Sequence, residues 1–218
     1  ATHAPMRGFT MVEMLVSLGI ILVITSIVLL GQNSFNKNLV LIDTTYTVAF
    51  TLRQAQTLAL SSRKAGAVQN AGYGVHFANG SMTSYSLFAD TIPAAPGNGQ
   101  GGRCPGHGAS SGLESRPGNC LYDDTTEIVT TYNLNHGFKA SRFCGVDTGG
   151  VTRCSGVYLD TLDVSFLRPS TQAVMIGTRA GALVELVSAK IYVTSPDGLD
   201  ERCINVTKVG QIAVGNCS

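Results

Sequence analysis

The residue of clearest chemical interest is Glu13, a carboxylate that stands at the head of a long apolar run. Residues 14–30 contain no charged side chain. A charged group at the centre of a membrane helix costs about 2.5–3.5 kcal/mol, and less near the interface, so an acid in this position is expected to have a partner. The alternative is a glutamate that extends its side chain to water at the membrane surface without a specific partner.

Six cysteines provide the second set of reactive side chains, and all lie downstream of the apolar run: Cys104, Cys120, Cys144, Cys154, Cys203 and Cys217. An even number in an exported domain is typical of a disulfide framework, for which fifteen pairings exist. Pairing of sequence neighbours is the simplest, and each bridge would stabilise the fold by roughly 2–4 kcal/mol. A zinc site at Cys104 and His107 is the alternative, but no second close Cys/His pair completes it. We therefore predict disulfides and an oxidising compartment.

Two acidic groups could supply oxygen ligands to a metal: Asp123, Asp124 and Glu127, and further along the chain Asp197, Asp200 and Glu201. Calcium takes six to eight oxygens, and neither spacing matches an EF-hand loop. We therefore interpret both groups as solvated turns, while the first group remains the candidate for calcium. No other cofactor is predicted.

Two motif matches that would indicate an enzyme lack the required context. Residues 97–102 match the G-x-G-x-x-G dinucleotide fingerprint, but they follow Pro-Ala-Ala-Pro rather than a strand. Residues 108–112 match the G-x-S-x-G nucleophile elbow within the same Gly- and Pro-rich stretch, where no strand-turn-helix can present the serine. We predict that the protein is not an enzyme.

One long helix is predicted to carry Glu13. From Phe9 to Leu30 a helix would rise about 33 Å, close to the hydrocarbon thickness of a bilayer. The run is too long for the apolar core of a cleaved secretory signal, and it is apolar on every face, unlike a core helix. Residues 32–64 contain no proline or glycine, and an apolar stripe predicts that the helix continues: Leu41, Val48, Leu52, Ala55 and Ala59. Arg63 and Lys64, followed by Gly66, indicate its end.

Beyond Gly66 the apolar residues alternate, which predicts strands. We expect strands at 73–78, 84–88, 126–134, 156–159, 162–167, 172–177, 185–195, 202–207 and 211–214. Residues 93–120 are rich in Gly, Pro and Ser and are predicted to form a long exposed loop. The fold class is therefore α+β: a long N-terminal helix, membrane-spanning over 9–30 and amphipathic over 31–64, packs on an antiparallel β-sheet or sandwich formed by 65–218.

The charge pattern disfavours a general affinity for nucleic acid. The formal net charge is +1, so no field of one sign steers the protein toward a polyanion. Four arginines near the cysteine loops could still form a local basic patch: Arg103, Arg116, Arg142 and Arg153.

The stretch RGFTMVEMLVSLGIILVITSIVLL resembles the N-terminus of type IV pilins and type II secretion pseudopilins. The resemblance implies that residues 1–8 are a prepilin leader, which continues upstream or starts at Met6. It implies cleavage by prepilin peptidase between Gly8 and Phe9, after the basic Arg7, and N-methylation of Phe9. Glu13 then becomes the fifth residue of the mature chain and meets the Phe9 amine of a neighbouring subunit during assembly.

Two further stretches, LRQAQTLALSSRK and CINVTKVGQIAVGNC, are similar to the H-type pseudopilin and minor-pilin branch. Cys203 and Cys217 bracket the second stretch, as the C-terminal disulfide loop does in many pilins. The implied function is a structural subunit of a type IV pilus or type II secretion pseudopilus. Its implied partners are other pilin subunits, prepilin peptidase, the inner-membrane assembly platform and, before assembly, membrane lipid. The alternative is a tip adhesin or DNA-binding minor pilin that presents the 93–120 or Cys144–Cys154 loop.

Overall fold

The computed structural model describes residues 8–61, 65–66, 68–69, 71–80, 82–92 and 118–217, with the backbone alone over 30–35. The chain divides into two compact units, Ala1–Val40 and Leu41–Ser218. Helix α1, Met11–Leu60, contributes to both.

The N-terminal unit contains the apolar part of α1. Met11–Leu29 has a mean hydropathy of 2.5 and none of it is buried, so this segment is long and apolar enough to cross a membrane. Its small polar side chains bond within the helix: Ser17, Thr25 and Ser26 donate to carbonyl oxygens four residues earlier, at 2.7–2.8 Å. Internal bonding of this kind is required in lipid, where no water is present to satisfy polar groups.

In the C-terminal unit, the remainder of α1 buries one face. Leu41, Thr45, Val48, Leu52, Ala55 and Ala59 are at most 2% exposed and recur every three or four residues. This spacing averages 3.6 residues, so all six lie along one side of the helix. Thr45 is the polar member of the set, and its hydroxyl donates to the carbonyl oxygen of Leu41 at 2.6 Å. Its burial therefore leaves no unpaired donor.

In the described part of the chain, ten strands follow the helix, with a 3₁₀ turn at Thr125–Glu127 before the third strand. Their bounds are β1 Gly72–Ala78, β2 Ser84–Asp90, β3 Ile128–Asn133, β4 Lys139–Asp147, β5 Thr152–Cys154, β6 Thr161–Phe166, β7 Ala173–Arg179, β8 Ala182–Thr194, β9 Glu201–Thr207 and β10 Ile212–Asn216. They form one antiparallel sheet in the order β10-β9-β8-β7-β6-β1-β2-β3, and β4 pairs with β8 and carries β5.

The long strand β8 joins two parts of this sheet. Its first residues, 182–186, pair with β7. Its later residues, 188–194, pair with β9, while 186–194 pair with β4. One part of the sheet is therefore β7-β6-β1-β2-β3, and the other consists of β9, β10, β4 and β5.

Polar side chains of α1 contact both parts of the sheet. Thr51 Oγ1 lies 3.2 Å from Tyr85 Oη on β2, and Tyr132 on β3 donates to Gln54 Oε1 at 3.2 Å. At the other end of the strand order, Arg53 donates to the carbonyl oxygen of Ile212 on β10 at 3.3 Å. The α+β class, with the N-terminal helix packed on an antiparallel sheet, is confirmed.

The β9–β10 turn depends on a glycine. Gly210 has a φ of +84°, and its N–H donates to the carbonyl oxygen of Thr207 at 2.8 Å. A Cβ at this position would overlap the carbonyl oxygen of Thr171, and Gln56 Nε2 donates to the carbonyl oxygens of both Thr171 and Gly210. The glycine thus lets the end of the hairpin approach the helix closely.

Several predicted elements differ from the structure. The helix ends at Leu60 rather than at residue 64, and residues 62–64 lie outside the described part. The strand predicted at 156–159 is wrong, because residues 156–158 form a turn with Gly156 at a φ of +86°. Strands β4 and β5 were not predicted. The predicted exposed loop is wrong at its end, where Cys120 is fully buried; residues 93–117 lie outside the described part.

Candidate assembly site

Glu13 has partners within its own chain. The backbone N–H and the hydroxyl of Thr10 both donate to Glu13 Oε2 at 3.0 Å, and the backbone N–H of Glu13 donates to Thr10 Oγ1 at 3.2 Å. Since α1 begins at Met11, Thr10 is the N-cap and Glu13 is the third helical residue. This arrangement is a capping box, in which each of the two side chains satisfies a free backbone donor of the other residue.

The capping box places the carboxylate where a negative charge is favourable. The first turn of a helix carries unsatisfied N–H groups and the positive end of the helix dipole. Glu13 therefore stabilises the start of α1 in a single chain, before any neighbour is present. Thr10 was not predicted as the cap, although the T-x-x-E spacing of residues 10–13 is a known signal for one.

The residues around the expected cleavage point precede the helix. Residues 8–10 are neither helical nor extended strand, and all three are exposed. Phe9 has 78% of its surface exposed, and a Cβ at Gly8 would meet no described residue within 4 Å other than its neighbours in the chain. Arg7 lies outside the described residues. An exposed segment without secondary structure is the usual geometry of a site that a protease reaches.

Two disulfides tie strands of the C-terminal unit. Cys144 on β4 and Cys154 on β5 are directly opposite and bonded, with their Cα atoms 4.0 Å apart. Cys203 on β9 is bonded to Cys217, which follows β10. Cys120 is also disulfide-bonded. Cys104, with the alternative zinc ligand His107, lies outside the described residues.

The first acidic group forms the predicted solvated turn only in part: Asp123 and Asp124 are exposed, but Glu127 is buried. Glu127 is 2% exposed, and its carboxylate accepts the backbone N–H groups of Thr91, Ile92 and Asp123 at 2.7–3.0 Å. Asp124 instead caps the 3₁₀ turn by accepting from Thr126, and Asp123 accepts from the side-chain amide of Asn119. Among the residues that the structure describes, no group of three or more His, Cys, Asp or Glu could hold a metal ion.

The second acidic group also has partners within the protein. Asp197 Oδ1 accepts from the Ser195 hydroxyl at 2.6 Å and from the Leu199 N–H at 3.2 Å. Glu201 lies 3.4 Å from Arg142, whose guanidinium also covers the ring of Tyr192 at 4.0 Å.

Two further buried carboxylates, which were not predicted from the sequence, hold residues 118–123 against the sheet. We call these six residues the strap. Asp90 on β2 is 1% exposed and accepts the N–H groups of Asn119 and Cys120, each at 2.8 Å. Burial raises the pKa of Asp90 to about 7, although both hydrogen bonds oppose the shift.

The second carboxylate, Asp163 on β6, lies 2.6 Å from His76 Nδ1 on β1. Burial raises the pKa of Asp163, while its bonds to His76 and to the Tyr122 backbone act in the opposite direction. The ring of Tyr122, in the strap, lies 4.3 Å from that of His76. His76 is thus a packed side chain under the strap.

Of the four arginines that could have formed a basic patch, the two that the structure describes each pair with a carboxylate. Arg142 pairs with Glu201, and Arg153 donates to Asp147 at 2.8 Å. Arg103 and Arg116 lie outside the described residues. The two described arginines therefore face carboxylates of their own chain.

Residues 5–29 match the family pattern described as the prokaryotic N-terminal methylation motif. This motif supports a type IV pilin-like structural subunit. The matched stretch includes Gly8, Phe9, the capping box and the exposed apolar segment Met11–Leu29. No curated protein and no solved structure matches the chain.

The prepilin motif implies processing by prepilin peptidase and assembly with other pilin subunits. With the apolar helix, it fits a pilin that is anchored in the membrane and later assembled into a surface or periplasmic filament.

Proposed function

We propose that this chain is a minor or H-type pilin or pseudopilin of a type IV pilus or type II secretion pseudopilus. It is cleaved between Gly8 and Phe9, methylated on Phe9, and built into the filament through α1. The observation that carries the proposal is the methylation motif at 5–29, which coincides with the apolar segment Met11–Leu29 of α1, where every side chain is exposed in the single chain. Such a surface requires lipid before assembly and neighbouring helices afterwards.

Assembly uses the carboxylate of Glu13. Cleavage creates a positive amine on Phe9, four residues before Glu13, and we propose that this amine meets Glu13 of an adjacent subunit. A carboxylate offers about four acceptor positions, so the two bonds from Thr10 leave room for the amine. In the dry centre of a helix bundle an unpaired charge is costly, so the ion pair sets the axial register of the subunits.

The placement in the minor or H-type branch is supported by the C-terminal hairpin. Strands β9 and β10 are joined by the Gly210 turn and closed by Cys203–Cys217. The disulfides also support exposure of the C-terminal unit to an oxidising compartment outside the cytoplasm.

The direct test is mass spectrometry of the subunit in purified filaments. We expect an N-terminus at Phe9 that carries one methyl group, and the precursor mass when prepilin peptidase is deleted from the producing cell. Filament subunits that retain residues before Phe9, or a chain that is absent from every filament fraction although it is expressed, would contradict the proposal.

A further inference from the structure

The strap, residues 118–123, is fastened to the sheet by carboxylates rather than by strand pairing. Among the described residues, no backbone-to-backbone hydrogen bond joins it to a strand. Side chains accept its N–H groups from residue 119 to residue 123, and four of these five groups go to carboxylates. The pairs are Asn119 and Cys120 with Asp90, Tyr122 with Asp163, and Asp123 with Glu127. Because carboxylates titrate and backbone carbonyls do not, the attachment of the strap is linked to protonation.

The strap lies directly on Asp90. A Cβ at Gly118 would overlap the Asp90 carboxylate, so glycine is required for this close approach. Asn119 and Cys120 are themselves buried, at 5% and 0% exposure. The closed strap therefore excludes water from Asp90.

The three carboxylates that hold the strap lie in a region with little positive charge. Asp90, Glu127 and Asp163 are each at most 2% exposed. Among the described residues, the single basic side chain that pairs with any of them is His76, 2.6 Å from Asp163. A carboxylate that is buried beside other carboxylates is costly to ionise. The titratable groups that face the three are His76 on β1, Tyr122 and Asp123 in the strap, and Asp124 before the 3₁₀ turn.

The pKa of Asp90 gives the direction of the linkage. Burial raises it to about 7 against the effect of the two N–H bonds, and the charges of Glu127 and Asp123 add to the rise. Burial also raises the pKa of Asp163. When the strap opens, water reaches Asp90 and its pKa returns toward the ordinary value of 3.8. Closing therefore takes up a proton between about pH 4 and pH 7, so acid favours the closed strap.

We propose that the strap is a latch that closes by taking up protons, so that it holds firmly in acid and opens more often at neutral pH. Opening uncovers the face of β1, β2 and β6 beneath it, including the rings of His76 and Phe88 that Tyr122 contacts. This face is thus more accessible near neutral pH than in an acidic medium. The latch lies within the C-terminal unit and rests on no part of the assembly proposal.

The test is hydrogen exchange of the full chain in detergent micelles, with its disulfides intact during labelling, followed by mass spectrometry. The exchange rate of the strap amides, divided by the intrinsic chemical rate at each pH, gives the fraction of time for which the strap is open. We expect this fraction to rise between pH 4 and pH 7, by up to about 10-fold per pH unit, and to level off above pH 7. The amides of β9 are the internal control and should show no comparable rise. An open fraction that is constant, that falls as the pH rises, or that changes equally in β9 would overturn the proposal.

Matched variants identify the titrating group. Asp90→Asn keeps an acceptor oxygen for the strap but cannot ionise, so the total rise between pH 4 and pH 7 should be at least about 10-fold smaller. Asp200→Asn, which changes an exposed carboxylate of the β8–β9 turn, should keep the wild-type profile. An unaltered profile in Asp90→Asn would overturn the proposal. If Asp90→Asn leaves the strap unprotected at every pH, the wild-type profile decides alone; the circular dichroism spectrum verifies that each variant is folded.

Discussion

In each unit of this protein a carboxylate accepts hydrogen bonds from the backbone, but only one of the two carboxylates is buried. Glu13 accepts from Thr10 at the exposed start of α1. Asp90 accepts from Asn119 and Cys120 under the strap, where it is 1% exposed. A carboxylate that accepts a backbone N–H therefore has a different role in each unit. The exposed acid remains reachable by a neighbouring subunit, whereas the buried one fastens a segment of its own chain.

The surroundings of the two acids also differ. Glu13 lies at the start of a segment of exposed apolar residues, which lipid or other helices would cover. Asp90 lies in a region where Glu127 and Asp163 are equally buried and also accept backbone N–H groups. Substitutions in the first region should therefore alter assembly, and those in the second should alter folding.

The largest expected effect comes from Glu13→Ala. Removing one partner of a desolvated ion pair costs about 3–5 kcal/mol, so the share of this subunit in filaments should fall about 100-fold or more. The C-terminal unit should keep its stability against denaturant, because Glu13 lies in the other unit. Filament yield measured by immunoblotting of sheared fractions checks the result.

Glu13→Gln serves as the matched control for the cap. Glutamine can take the same place in a capping box, but it carries no charge for the Phe9 amine. We expect Glu13→Gln to fail in assembly nearly as severely as Glu13→Ala. Normal filaments in the glutamine variant would show that the capping bonds, and not the charge, are what assembly requires.

Asp90→Ala is expected to have the next largest effect, on stability. It leaves the buried N–H groups of Asn119 and Cys120 without an acceptor, and each such group costs about 1–3 kcal/mol. The free energy of unfolding should therefore fall by about 1–3 kcal/mol for each of these groups. Denaturant titration of the full chain in micelles measures it. Asp43→Ala, which changes an exposed carboxylate of α1, is the control and should be nearly neutral. Equal stability of both variants would mean that the strap is not held by Asp90.

The raised pKa of Asp90 also leads us to expect that stability depends on pH. Its folded-state pKa is raised to about 7 from 3.8, so between these values the folded protein retains a proton that the unfolded chain has lost. The contribution of Asp90 to stability is therefore greatest below pH 3.8 and is lost as the pH rises toward 7. The local slope from one such group is at most about 1.4 kcal/mol per pH unit.

Denaturant titrations of wild type and Asp90→Asn across this pH window isolate that contribution. The difference in the free energy of unfolding between the two proteins should change steadily with pH below 7 and become constant above it. Asp163 also has a pKa raised by burial, but it is present in both proteins and cancels in the difference. A difference that does not vary with pH would exclude Asp90 as the titrating group.

The sequence predicted the elements whose patterns are regular. The stripe from Leu41 to Ala59 follows helical spacing without interruption, and the closing hairpin alternates around a glycine. Strand β4 was missed for a physical reason: its register shifts between Ala140 and Arg142, and a bulge breaks the alternation by which strands are recognised. The turn at 156–158 was misread as a strand because Val157 and Tyr158 are apolar, yet both are at least half exposed.

Whether a functional residue could be predicted depended on whether its partners are close to it in sequence. Glu13 could be recognised as a candidate site because the motif that identifies it is formed by residues adjacent to it in sequence. Its capping partner Thr10, three residues away, could have been recognised in the same way. Asp90 and Asp163 were not recognisable, because their burial requires the strap to lie across strands that are far from it in sequence. Contacts between sequence-distant segments carry no local pattern.

The smallest expected effect is that of Thr10→Ala. This variant tests whether the role of Glu13 in capping the helix can be separated from its role in assembly. Loss of an N-cap costs about 1 kcal/mol of helix stability, so the amides of the first turn of α1 should exchange with solvent about fivefold faster. Thr10→Ser retains the hydroxyl acceptor and should exchange as wild type does. Because the alanine variant keeps the charge of Glu13, it should still enter filaments, at a yield well above that of Glu13→Gln. If Thr10→Ala abolished assembly as completely as Glu13→Ala does, the capping bonds would be part of the subunit contact itself, and the distinction between the two carboxylates would have to be redrawn.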